Sequence, residues 1–135
     1  PIDHRDFDGY ASLRSRAGMP VAMGEREYDL VALRELARRE AIDLWQPDLL
    51  RLGSVEAWRE SAALAHSHGI PVLPHYYRDY DVALLCTIPN GAGAESFDWI
   101  DAIVDRPLRI EQGLAYPRDG AGWGFAIRDD ALIPL

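Results

Sequence analysis

The sequence contains no lysine, and all 14 of its basic residues are arginine. No Schiff base, Walker-type lysine or lysine general base can therefore come from this chain. There is one cysteine, Cys86, within the apolar run Val82-Ala83-Leu84-Leu85-Cys86, so an internal disulfide is excluded and a buried, inert thiol is expected. That usage suits a reducing cytoplasm, the expected location. No apolar run approaches the roughly 20 residues that span a bilayer. A basic cluster is also missing, and 22 acidic residues leave a net charge of −8. Partners held through phosphates, nucleic acid or an anionic membrane, are thus disfavoured, and a metal cation is the expected partner. Position 1 is Pro, and neither a basic n-region nor an apolar h-region follows, so no targeting signal is legible and the chain reads as a segment whose beginning is missing.

What is present fits an ordered globular domain, or part of a larger one: 135 residues, 48% apolar and 27% charged. A helix is expected from Asp6 to Ala17, with Phe7, Tyr10 and Leu13 on one side and Gly18 as its left-handed cap. Pro20–Met23 reads as a short strand ending at Gly24-Glu25. Asp29 to Glu40 reads as an amphipathic helix, with Leu30, Leu33 and Ala37 inward. Ile42–Gln46 is a strand reaching Pro47-Asp48. Leu49 to Gly53 lead to a helix capped by Ser54, whose stripe of Val55, Trp58, Ala62 and Ala65 runs until Gly69. Pro71–Pro74 is a strand delivering His75, Asp81–Ile88 an apolar helix, Gly93–Phe97 a strand end and Asp98–Val104 a helix. Arg109–Tyr116 reads as extended and Pro117–Gly124 as a surface loop.

Strand-then-helix units starting near positions 20, 42, 71 and 93 make an α/β rhythm. Short, nearly all-apolar strands suit a parallel sheet buried on both faces. An open doubly wound sheet would satisfy that pattern, but the four strand ends carry Glu25, Asp48, His75 and Glu95, and a barrel gathers strand ends around one axis. Since a full (β/α)₈ barrel takes about 250 residues, the expectation is its C-terminal half over residues 1–108, followed by a C-terminal segment over 109–135.

Glu25 follows a glycine that lets the chain turn sharply, so its carboxylate either points into the barrel mouth or starts a solvated loop. Asp48 and His75 end consecutive strands, which lie about 4.8 Å apart in a sheet. A carboxylate accepting from one imidazole nitrogen fixes the tautomer and raises basicity at the other, giving a competent general acid/base; a structural Asp/His hydrogen bond is the alternative. Glu95 could bind a substrate or a proton. His66 and His68, two apart on a helix, read as surface residues, and Gly91-Ala92-Gly93 lacks the rest of a phosphate loop. Trp45 and Trp58 read as core.

Taken in order, Pro20-Val21-Ala22-Met23-Gly24-Glu25, Gln46-Pro47-Asp48-Leu49-Leu50-Arg51-Leu52-Gly53 and Ile70-Pro71-Val72-Leu73-Pro74-His75 resemble the mandelate racemase branch of the enolase superfamily. The helix around Ala63-Leu64-Ala65-His66 and the Ile88-Pro89-Asn90 segment extend the resemblance along nearly the whole chain. It implies that Glu25 matches a carboxylate ligand of an essential Mg²⁺, that Asp48 and His75 form the Asp/His dyad, and that Glu95 hydrogen-bonds the substrate carboxylate. The implied chemistry is removal of the proton alpha to a carboxylate through an enediolate, in a cytoplasmic homo-oligomer. Dehydration of a sugar acid is the favoured form, and racemisation of a 2-hydroxy acid the alternative. The family's other two metal carboxylates, its lysine motif and most of its capping domain have no counterpart in this chain, whose C-terminal segment resembles the part that returns toward that cap. Ser54, where relatives commonly carry a second Gly, and Ala121-Gly122-Trp123-Gly124 depart from the family pattern. A reading of another class is a non-catalytic half-barrel that pairs its exposed sheet edges with another chain.

Overall fold

The computed structural model describes residues 2–132. Pro1 and positions 133–135, the last part of the expected C-terminal segment, lie outside the described residues. The architecture is α/β. Strand β1 (Ala22–Met23) pairs in parallel with β2 (Leu44–Trp45), in the register Ala22 to Leu44 and Met23 to Trp45. Parallel single-residue bridges then join Trp45 to Val72 and Val72 to Gly91. Four parallel segments therefore lie side by side in chain order, each consecutive pair joined by helix, as the apolar runs predict. The ladder runs past the strands: His75 N–H donates to the Pro47 carbonyl at 2.9 Å, and Gln46 N–H to the Met23 carbonyl at 2.8 Å.

Side-chain chemistry sets the helix limits. Helix α1 (Phe7–Ala17) starts where Asp6 accepts from Gly9 N–H at 2.8 Å, and it stops at Gly18, which takes the left-handed conformation (φ 65°) that a residue without Cβ adopts freely. None of its residues is fully buried; Phe7 and Tyr10 pack partly against the core, while Leu13 of the same side is exposed. Helix α2 (Val31–Arg38) buries Ala32, Leu33, Leu36 and Ala37 and leaves its arginines outward. The four-residue α3 (Leu49–Leu52) is capped by Asp48, and α4 (Val55–Ser67) by Ser54, which accepts from Ala57 N–H at 3.1 Å. α4 lays Trp58, Ser61, Ala62 and Ala65 against the sheet.

The core joins these faces around Trp45, Trp58, Leu33, Leu36 and Val72, all with essentially no exposure. A buried indole N–H usually finds a partner, and of the two buried tryptophans Trp45 has one while Trp58 Nε1 has none. Trp45 donates to the Ser61 hydroxyl at 3.1 Å, and that hydroxyl donates to the Trp58 carbonyl at 2.7 Å. Asn90 fastens the last segment by donating to the carbonyls of Ile70 and Ala62 at 2.9 and 3.2 Å.

Downstream of His75 the sequence expectations need correction. Helix α5 spans Arg78–Leu85, not Asp81–Ile88. Its first turn carries Arg78, Asp79 and Asp81, charged residues that hydropathy assigns to solvent but that ion pairing and packing bury. The helix also ends earlier, so Cys86 caps its C-terminus and is exposed, against the expected buried thiol. The fourth parallel segment pairs at Gly91, and Gly93–Phe97 forms no strand. In place of the expected Asp98–Val104 helix there is one 3₁₀ turn, Trp99–Ala102. The extended segment is a hairpin, β3 (Arg109–Glu111) with β4 (Leu114–Tyr116), turned by Gln112 and Gly113, both with positive φ. The loop after it is tied down: Arg118 is largely buried and pairs with Asp79, and Trp123 packs on the core. Among the described residues no helix is long and apolar enough to cross a membrane.

Candidate functional site

Each residue singled out in the sequence follows one of the four parallel segments. Glu25 follows β1 through Gly24, whose φ is 139° and whose missing Cβ would lie 2.8 Å from both the Gln46 carbonyl oxygen and the Trp45 ring. Only glycine fits that approach, so the chain turns there and the Glu25 carboxylate comes out over the end of the sheet. Asp48 and His75 end the next two segments, held level by the Pro47 to His75 backbone bond. Glu95 lies in the irregular stretch after Gly91.

The structure brings three of these side chains into direct contact. His75 Nδ1 lies 3.0 Å from Asp48 Oδ2, and His75 Nε2 lies 3.4 Å from Glu25 Oε2. Asp48 is 4% exposed, and its other oxygen, Oδ1, accepts from the backbone N–H groups of Leu50 and Arg51 at 2.8 and 3.0 Å. One carboxylate thus both caps α3 and orients the imidazole. Held by amides at one oxygen, it is fixed toward His75, which presents Nε2 to the exposed side next to the Glu25 carboxylate. The Tyr76 ring flanks the imidazole, 5.5 Å between centroids, and packs in turn on Phe97.

Glu95 does not touch His75. It is held between Gln46, whose Nε2 donates to Oε1 at 2.7 Å, and the Tyr76 backbone N–H, which donates to Oε2 at 2.9 Å. Sequence reasoning missed both partners. Gln46 has a signal, since it stands two residues before Asp48 and side chains at i and i+2 of an extended segment share a face. Tyr76 has none, because its part is played by a peptide group turned by a φ of 73°.

Beneath the site lies another carboxyl, Asp81, which is 1% exposed and hydrogen-bonds through neither oxygen. Burial pushes its pKa up to about 8, with further upward pressure from the charges of Asp48, Glu95 and Asp79, so at neutral pH it holds its proton. Burial likewise raises the Tyr77 phenol, and Asp48 adds to the shift. At the opposite end of the sheet Asp43 is lowered, because it accepts from Val21 N–H and from Arg14.

Glu25 is half exposed and offers hard carboxylate oxygens, which suits one ligand of a divalent cation. Among the described residues, no three His, Cys, Asp or Glu side chains converge to hold a metal ion. A cation held by Glu25 would need further ligands beyond those that the described residues bring together.

The enolase C-terminal domain-like family model matches residues 1–131. The chain is 28% identical over 131 residues to L-talarate/galactarate dehydratase of Salmonella typhimurium strain LT2, covering 97% of this chain and 33% of that protein. It is 28% identical over 144 residues to D-gluconate dehydratase of Thermoproteus tenax, covering 98% and 29% respectively. It superposes with a TM-score of 0.88 on the crystal structure of L-talarate dehydratase from Polaromonas sp. JS666 complexed with Mg and L-glucarate, at 26% identity over 97% of this chain and 37% of that one. The chain spans about a third of the length of the curated relatives it matches.

Proposed function

The chain belongs to the enolase C-terminal domain-like family, and from that premise we propose that it is the C-terminal half of a (β/α)₈ barrel in a magnesium-dependent enzyme that dehydrates a sugar acid. Residues 1–108 form the half-barrel in this reading, and 109–135 return toward a capping domain outside the chain. The supporting relatives are dehydratases of talarate, galactarate and gluconate. The observation that carries the reading is the Asp48–His75 pair at 3.0 Å, with Nε2 facing outward at the end of a parallel sheet, 3.4 Å from the Glu25 carboxylate.

With Nδ1 protonated and donating to Asp48 Oδ2, His75 Nε2 is the basic nitrogen. It takes the proton alpha to the substrate carboxylate, and the imidazolium that results is stabilised by the fixed Asp48 charge. The same Nε2–H then protonates the departing hydroxyl. Glu95, held by Gln46 and the Tyr76 peptide, would hydrogen-bond the substrate carboxylate through a proton shared between the two acids, since two carboxylates repel without one. Glu25 would be one ligand of Mg²⁺, which when bound supplies a positive charge where negative charge develops on the substrate carboxylate.

The test is exchange of the substrate α-proton with deuterated solvent, with turnover, in the full-length protein supplied with galactarate, gluconate and related acids. Exchange and loss of water that both require His75 support the reading, and exchange without loss of water would assign racemisation. A full-length protein that shows neither, whatever acid is offered, would overturn it and favour the half-barrel that pairs with another chain.

A further inference from the structure

Glu95 stands on a stretch, residues 92–98, with no regular secondary structure and mostly exposed. A side chain that must meet a substrate at fixed distance from His75 cannot be placed by such backbone alone. All of its described side-chain tethers except Gln46 run to one short element, the turn directly after His75. Tyr76 N–H donates to Glu95 Oε2 at 2.9 Å. Two residues on, Arg78 donates from Nη1 to the Ser96 hydroxyl at 2.7 Å and from Nη2 to Asp101 Oδ2 at 2.6 Å. Arg78 is 4% exposed, and its position is itself fixed: its neighbour Asp79, also buried, pairs with Arg118 of the C-terminal segment.

We infer that Arg78 is a positioning residue for Glu95, bracing residues 95–101 against the turn that carries His75 so that the acid and the imidazole keep one separation. The guanidinium is suited to this because its planar fork reaches two acceptors at once, whereas an ammonium offers a single centre. The orientation of the Tyr76 amide follows: its positive φ is an uncommon conformation for a residue with Cβ and persists where surrounding contacts over-determine it. Here the Glu95 carboxylate and the Arg78 brace stand on either side of it. The inference rests on the function proposed above only for what Glu95 binds.

Arg78→Met in the full-length protein tests it by two independent readouts. Hydrogen–deuterium exchange should show uptake at the Tyr76 amide accelerated about tenfold, with α4 unchanged, the size expected for losing one charge-assisted tether. Kinetically, KM for the sugar acid should rise about tenfold with kcat held within about threefold, because binding by Glu95 is loosened while the dyad is untouched. Added guanidinium should restore both, and Arg78→Lys should recover only part. Ser96→Ala, which removes one exposed arm and leaves the buried charges paired, should give a smaller change of about threefold and decides the matter where Arg78→Met does not fold. Unchanged Tyr76 exchange in these variants, or exchange accelerated equally throughout α4 and α5, would overturn the inference. Absence of turnover in the unsubstituted protein would sink the proposed function instead, and the exchange measurement would still decide the brace.

Discussion

The stretch from Val21 to His75 and the stretch from Tyr76 to Arg118 position functional groups by different physics. In the first, backbone does the placing: parallel hydrogen bonds set Gln46, Asp48 and His75 level, a glycine at a 2.8 Å approach turns Glu25 outward, and side chains fill the space with little polarity inside. In the second there is little ladder, and charge does the placing. Arg78, Asp79 and Asp81 are buried, and ion pairs with Asp101 and Arg118 hold α5, the Glu95 stretch and the C-terminal segment together. A ladder tolerates pH and salt because its groups do not titrate. A buried charge network is sensitive to both, and removing one member strands another.

The largest expected effect falls where the two regions meet. His75→Asn retains a polar side chain but cannot take a proton at neutral pH, so α-proton exchange in the full-length protein should fall by about 10³-fold or more. Asp48→Asn keeps the cap on α3 and should leave stability within about 1 kcal/mol, yet exchange should drop on the order of 10²-fold, because the charge facing the imidazolium is gone. Additive losses in the double variant, in place of a shared one, would show the two residues acting separately.

Next in size is a pH effect centred in the second region. Asp81 holds its proton up to about pH 8 in the folded protein but ionises near 3.8 when unfolded. Between those values the unfolded chain binds fewer protons, so stability falls as pH rises, and the penalty is absent below the lower pKa and complete above the upper one. Asp81→Asn abolishes the difference. Denaturant unfolding should show variant and parent alike near pH 4, with the variant ahead by a margin that grows to a few kcal/mol by pH 8. In the first region Glu27, raised by burial, acts with the same sign and the lowered Asp43 with the opposite one, but both are present in both proteins and cancel. A margin independent of pH would mean that Asp81 is not the buried neutral acid and that the contrast between the regions is overdrawn.

The same contrast governs what could be read from sequence. Period, caps and turn residues write the first region into the chain, so β1, α2, β2, α4 and the ends at Glu25, Asp48 and His75 were legible. Asp48 and His75 emerge in contact because adjacent strand ends leave them little choice. In the second region hydropathy misleads, since it assigns Arg78, Asp79 and Asp81 to water. The start of α5 follows from that, since its first turn carries these buried charges. Tyr76 contributes an N–H that no residue type announces.

Gly24→Ala probes the backbone logic of the first region. The new Cβ would meet the Gln46 carbonyl and the Trp45 ring at 2.8 Å, at a φ of 139° that alanine rarely adopts. A loss of about 3 kcal/mol is expected, measured by denaturant unfolding, at a residue that makes no side-chain contact of its own.

The smallest effect tests whether the first region is as free of polar dependence as it looks. Ser61 is its one fully buried polar side chain, accepting from Trp45 Nε1 and donating to the Trp58 carbonyl. Ser61→Ala removes few atoms and opens almost no cavity, so packing predicts little change. Hydrogen bonding predicts more, because the Trp45 indole N–H would then lose its partner while still buried. The cost expected is about 1 to 2 kcal/mol, and because neither group titrates it should be the same at pH 5 and pH 8. Ser61→Thr keeps the hydroxyl while adding a methyl group, and in a tightly filled core it should cost about 1 kcal/mol for a different reason, overpacking. A loss under 0.5 kcal/mol in Ser61→Ala would mean that the indole finds another acceptor, and that this region is held by shape and backbone alone.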